Sequence, residues 1–169
     1  METIEAILSR RSIRKYKPDP VPDEVVKELL EAAMSAPSAG NQQPWHFIVI
    51  RDRAILDAIP TVHPYSQMLK EAPLGIVVCG DLEKQIHDGY WVQDCSAATE
   101  NLLLAAHAKG LGAVWLGVYP REPRVIGVKE ILKLPDYIIP LCIISLGFPA
   151  EEKPPAKRFI PERIHYDRW

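Results

Sequence analysis

Apolar positions along the chain change period several times, and each change marks an expected element. Ile4, Ile7 and Leu8 recur at helical spacing behind Thr3, which can cap a first helix. Pro18, Pro20 and Pro22 then predict a stiff link. Pro22 and Asp23 open a second helix carrying Val25, Val26, Leu29, Leu30 and Ala33. A strand is expected near Trp45–Ile50, followed by short helical pieces over Arg53–Ile59 and Tyr65–Glu71. Leu74–Cys79 is an unbroken apolar run, which suits a strand buried on both faces. The longest helical pattern is Asp88–Lys109, apolar on most faces through Ala97, Leu102, Leu103, Leu104, Ala105 and Ala106. A helix this apolar belongs in a core or a subunit interface, and Gly110 is placed to end it. Gly112–Val118 reads as a third strand, Arg124–Leu132 as a helix and Ile138–Leu146 as a fourth strand.

Helices alternating with apolar strands predict packed layers of α and β. Residues 149–169 have no pattern for a packed element, and they hold four prolines and several charges. Phe159, Ile160, Ile164, Tyr166 and Trp169 nevertheless supply apolar anchors, so the stretch reads as an extended arm. No internal repeat or second boundary is visible, and 169 residues suit one domain spanning 1–169.

Composition narrows the function. A net charge of −2 gives no reason to expect nucleic acid as a partner. No apolar stretch approaches the ~20 residues of a membrane span. The N-terminus enters a charged amphipathic helix directly, with no signal peptide, so a cytoplasmic location is expected. Cys79, Cys95 and Cys142 are odd in number and lack a CxxC spacing, which predicts buried free thiols. His46, His63, His87, His107 and His165 form no HxxxH or HExxH pair, and no metal site is expected.

Two segments carry candidate chemistry. Arg10-Arg11-Ser12-Ile13-Arg14 places three guanidiniums and a hydroxyl within five residues. Arg presents a rigid fork of donors that matches phosphate oxygens. The plain alternative is a solvated helix end, where cations also suit the helix dipole. Ala36-Pro37-Ser38-Ala39-Gly40-Asn41-Gln42-Gln43-Pro44-Trp45 is small and polar, broken by Pro and Gly. Its small residues allow a flat ligand to approach the backbone, and Ser38, Asn41 and Gln43 offer donors and acceptors. An ordinary helix-to-strand connector is the alternative. Gly110-x-Gly112 lacks a third glycine and follows a helix rather than a strand, so it is no dinucleotide fingerprint. No nucleophile–base or paired-carboxylate signature stands out, which fits an enzyme whose cofactor carries the chemistry.

Taken together, these segments resemble the FMN-dependent nitroreductase family. The resemblance rests on Arg10-Arg11-Ser12-x-Arg14-x-Tyr16 and Pro37-Ser38-x-x-Asn41-x-Gln43-Pro44-Trp45. It extends to Gly112-Ala113-Val114-Trp115-Leu116-Gly117 and to Lys157-Arg158-Phe159 before the terminal Tyr166-Asp167-Arg168-Trp169. It covers nearly the whole chain and marks a compact member. It implies an α+β nitroreductase-like fold with a central, mostly antiparallel sheet flanked by helices. It also implies a C-terminal arm that extends onto the partner of a homodimer, with flavin sites at the subunit interface.

The resemblance assigns roles residue by residue. Arg10 and Ser12 would hold the FMN phosphate, joined by Lys157 or Arg158, with Arg11 ranked beneath Arg10 and facing solvent or the partner. Arg14 would reach the ribityl chain and the C2 carbonyl side. Pro37, Ser38 and Ala39 would pass against the ring from the other subunit, and Asn41 would bond a polar flavin edge. Gln67 and Lys70 match the family's amide–lysine pair at the pyrimidine edge. Leu116 and Gly117, following Trp115, would present backbone N–H groups to N5 and O4. Trp91 and Tyr119 are candidates for a substrate face, with a core role the alternative for Trp91. The implied activity is ping-pong hydride transfer from NADH or NADPH to a nitroaromatic or quinone. Alternatives are a same-fold reductase for an enone or halogenated aromatic, a non-catalytic flavin-storage protein, and a phosphate- or nucleotide-binding module without flavin.

Overall fold

A computed structural model describes residues 1–169. Helices α1 (Thr3–Ser9), α2 (Asp23–Met34), α3 (Arg53–Ala58), α4 (Trp91–Ala108) and α5 (Glu122–Leu132) are interleaved with four strands. These are β1 (Trp45–Ile50), β2 (Leu74–Asp81), β3 (Gly112–Gly117) and β4 (Ile138–Gly147). Short 3-10 turns lie at Ala39–Asn41, Ile59–Thr61, Gln67–Lys70 and Pro161–Arg163. The strands form one sheet in the order β1-β2-β4-β3, with every pairing antiparallel.

Side-chain alternation explains why the central strands are apolar throughout. Ile76, Val78, Ile144 and Leu146 face the layer of α2 and α4, where they meet Leu29 and Leu102. Val77, Cys79 and Ile143 face the opposite layer, where they meet Leu56 of α3 and Val128 of α5. Every residue of β2 is buried, as its continuous apolar run predicts. All three cysteines are free and buried, and burial pushes the Cys79 and Cys142 thiols up to about 12.

Several boundaries differ from the sequence reading. Thr3 lies inside α1, with Glu2 at the N-cap and no side-chain cap bond. That helix buries only Ala6, so Ile4, Ile7 and Leu8 face outward. Helix α4 starts at Trp91 rather than Asp88, because Gly89 takes a left-handed φ of 80° just before it. Helix α5 starts at Glu122, two residues before Arg124, and Pro123 sits in its first turn, where no donor is missed.

The N-terminal segment and the C-terminal arm are laced together along the edge beside β3. Ser12 bridges Ala113 in parallel, and the Ile13 N–H donates to the Ala113 carbonyl at 3.0 Å. Tyr16 pairs with Pro149, the Lys17 N–H meets the Phe148 carbonyl at 2.8 Å, and the Ala150 N–H meets the Lys15 carbonyl at 2.9 Å. Lys153 Nζ donates to the Ser12 carbonyl at 2.8 Å, and Arg11 donates to the Pro154 carbonyl. Beyond this lacing the arm is extended apart from the Pro161–Arg163 turn, which the sequence did not signal. Its anchors find no core within the chain: Phe159 and Tyr166 are exposed, and Trp169 is fully so.

Candidate functional site

The outer edge of β3 is open beyond Ala113. The Val118 N–H donates to the Leu141 carbonyl of β4 at 3.0 Å, while the Ala113 carbonyl faces Ile13 on the other side. Antiparallel alternation therefore turns the Leu116 N–H into the ladder and the Trp115 and Gly117 N–H groups toward the open edge. The expectation that Leu116 and Gly117 both offer free N–H groups is corrected: the free pair is Trp115 and Gly117. The Leu116 side chain is buried in the core beneath.

Gly117 opens onto a cavity of about 470 Å³. Arg14, Gln67, Trp115 and Leu116 line it as well, so five residues singled out in the sequence converge there. A Cβ on Gly117 would meet nothing within 4 Å, so bare backbone faces the space. Lys70 shares the 3-10 turn with Gln67 but is exposed and does not line the cavity.

The carbonyl of Gly117 accepts two donors. His63 Nε2 lies 2.8 Å away and Arg124 Nη1 lies 2.9 Å away. A carbonyl only accepts, so His63 carries its proton on Nε2. Burial of the ring pushes the His63 pKa down; the Gly117 bond opposes that shift, and the Arg124 charge adds to it. His63 Nδ1 has no hydrogen-bond partner. Arg124 also lies over the Tyr65 ring, 5.3 Å from its centroid. His63, Tyr65, Met68 and Arg124 all line the cavity, and the sequence reading found none of them. His63 and Gly117 are 54 residues apart, so nothing in the local sequence announces their contact.

A second cavity, of about 760 Å³, gathers Arg10, Lys157 and Arg158 between Ile7, Leu8 and Phe159. This brings the N-terminal and arm cations together, without Ser12, which lines neither cavity. The Arg10 Nε lies 3.4 Å from Glu100 of α4. His107 is also held below the usual histidine range, by burial first and by the Arg10 charge second. Arg11 turns away to Pro154 and lines a different hollow with Met1 and His107. Residues 10–14 run past β3 with Arg10 in one cavity, Arg14 in the other and Ser12 between. Four residues of extended chain span at most about 14 Å. The arrangement suits an elongated ligand with an anionic end and a flat end.

The 36–45 loop is built separately. Asp94 of α4 is buried and accepts from the Ala39 N–H at 2.9 Å and from Gln42 Nε2 at 2.6 Å. Gln42 Oε1 in turn accepts from the Ile86 and His87 N–H groups. Gly40, Asn41 and Gln43 all take left-handed φ, and the His87 ring covers Gly40. The exposed Asn41 is bonded by Gln43 rather than aimed at a cavity. Pro37, Ser38 and Ala39 line a hollow with Tyr90, Gln93 and Asp94, sharing no residue with the other two cavities. One chain therefore does not bring this loop to the β3 edge. The readable signal for Asp94 was its spacing: it stands three residues after Trp91 and four before Ala98 on the apolar face of α4, where an acid needs partners. Trp91 is buried over Gly80 and meets Tyr119 edge-on at 4.9 Å, so it belongs to the core.

Comparison with known proteins gives consistent findings. A family model described as the nitroreductase family matches residues 7–62 and 58–148. A protein of Methanothermobacter thermautotrophicus named as an NADH dehydrogenase/NAD(P)H nitroreductase is 52% identical over 169 residues, which is 100% of this chain and 88% of that protein. The crystal structure of a protein so named from Parabacteroides distasonis is similar at TM-score 0.96 and 46% identity, covering 99% of this chain and 98% of that one. A nitroreductase from Desulfovibrio desulfuricans, solved in complex with FMN, is similar at TM-score 0.87 and 33% identity, covering 100% of this chain and 98% of that one.

Proposed function

The chain belongs to the nitroreductase family, and on that premise we propose that it is an FMN-dependent NAD(P)H oxidoreductase working as a homodimer. The carrying observation is the pair of cavities joined by residues 10–14: three cations in one, and open β3 backbone with Arg14 and Gln67 in the other. The donor set fits FMN. Arg10, Lys157 and Arg158 would hold its phosphate, and Arg14 and Gln67 would meet its polar ring edge. The Gly117 N–H would face the ring across a position with no side chain in the way. When bound, FMN supplies hydride chemistry, accepting from NADH or NADPH and delivering in alternation to an acceptor such as a nitroaromatic or quinone.

The remaining work belongs to the chain's own groups. A cation and N–H donors beside the ring stabilise the negative charge that accompanies reduction. Asp94 and Gln42 hold the 36–45 loop in shape, and Pro37, Ser38 and Ala39 would reach the ring from the partner subunit. The exposed stripe of Ile4, Ile7 and Leu8 and the unburied arm anchors support a dimer, since a lone subunit would leave them wet. Three unpaired thiols suit a reducing compartment, and no helix is long and apolar enough to cross a membrane.

The test is an absorbance spectrum of the purified protein, followed by anaerobic addition of NADH and NADPH. A yellow protein carrying FMN and bleached by either nucleotide is the expected result. A colourless protein that takes up no added FMN overturns the proposal. A flavinated protein that neither nucleotide reduces at a useful rate supports storage instead.

A further inference from the structure

Arg124 is the group in the β3-edge cavity that the cofactor does not account for. The cavity holds two guanidiniums, Arg14 and Arg124, and no carboxylate. Neither takes part in any ion pair of the molecule. Arg14 is assigned to the flavin. Arg124 is anchored on the protein side by one N–H to the Gly117 carbonyl and by the Tyr65 ring beneath it. A guanidinium has five N–H donors, so most of those on Arg124 remain unspent. The charge sits in the first turn of α5, where the helix dipole opposes a cation. The Gly117 and Tyr65 contacts fix the side chain in place, and an anion beside it would be held by both the guanidinium and the dipole.

We propose that Arg124 selects a reactant that carries an oxyanion, such as a carboxylate or phosphate. This inference rests on the flavoenzyme reading, because the reactant must lie against the ring that Gly117 faces. Arg124 and Gly117 share a hydrogen bond, so the charge stands beside that position. Met68 and Trp115 supply apolar walls for a flat body, and Arg124 supplies the one pre-oriented cation for its anionic substituent. The same chemistry has two sources: a carboxylate on the acceptor, or the phosphates of the nicotinamide nucleotide.

Two ratios in the FMN-loaded protein separate these sources. The first is kcat/KM for 4-nitrobenzoate over that for uncharged 4-nitrobenzyl alcohol, at fixed NADH. The second is the anaerobic reduction rate with NADH over that with uncharged 1-benzyl-1,4-dihydronicotinamide. In Arg124→Gln one ratio is expected to fall roughly tenfold or more, the usual weight of a charge-assisted bond. Arg124→Lys is expected to recover part of that loss. A fall in the first ratio assigns the anion to the acceptor, and a fall in the second assigns it to the nucleotide. Both ratios unmoved, whether or not the rates themselves drop, overturns the inference, because Arg124 then acts only through Gly117. Unmoved ratios in a protein that still binds FMN leave the flavoenzyme reading standing. A protein that takes up no FMN overturns both.

Discussion

The 36–45 loop turns its polar groups inward, whereas the open edge of β3 leaves its own facing out. In the loop, Asp94 bonds Ala39 and Gln42, Gln42 bonds two further backbone N–H groups, and Gln43 bonds Ser38 and Asn41. At the edge, the Gly117 N–H and most of the Arg124 donors have no protein partner. Both segments are polar or glycine-bearing in sequence, but only the second leaves donors free for a ligand. The loop is a shaped, self-satisfied surface, and the edge holds free donors; that division is what the proposed site, shared between two subunits, would require.

The sharpest way to break the comparison is to remove the loop's anchor. Asp94→Leu leaves the Ala39 N–H and the Gln42 amide unpaired in a buried place, at roughly 1–3 kcal/mol for each. A fall of several degrees or more in Tm is expected, and an unchanged Tm would show that the network is dispensable. Next comes the phosphate end. Arg10→Ala should weaken FMN binding by roughly tenfold to a hundredfold, as loss of a charge-assisted bond implies, and Arg11→Ala clearly less. Equal losses in a fluorescence titration would mean that the wrong arginine has been assigned.

The edge predicts the reverse of the loop. Gly117→Ala should leave Tm nearly unchanged, because its Cβ meets nothing within 4 Å, yet it should weaken FMN binding by about tenfold as the methyl enters the cavity. A stable variant with undiminished affinity would remove the ring from that position. The smallest effect concerns pH. Burial holds His63 below its usual value, so the unfolded chain takes up a proton first as pH falls. Stability is therefore intact above about pH 6.5 and declines below it. His63→Gln should flatten that decline in Tm between pH 7 and 5, though not abolish it, since His107 shifts in the same direction.

The elements of the fold were legible because they rest on periodicity. The run Leu74–Cys79 forms the interior of β2, and Val26 and Leu29 face the core as their spacing predicts. The Arg10–Arg14 cluster was legible as chemistry and the Lys157–Arg158 pair only through the family resemblance, and the structure brings Arg10 together with both arm cations. What escaped reading was contact across long separations. His63 and Arg124 meet on one carbonyl through elements that come together only in the tertiary fold. The direction of the Leu116 N–H likewise depends on register with β4, which no local pattern specifies. Helix α1 misled in another way: its apolar stripe is real but faces out of the chain.

The lacing of residues 11–17 to residues 148–154 bears on how the protein folds. Arg14 and Glu151 are joined across 137 positions, and Ser12 and Lys153 across 141. Contacts over such separations close late in folding, because the chain between them must be ordered first. Helix α2 and the β1–β2 pair can form from nearer neighbours, while residues 11–17 have only Ala113 as a backbone partner until residues 148–154 arrive. The cavities that flank this segment are therefore among the last parts of the molecule to take shape.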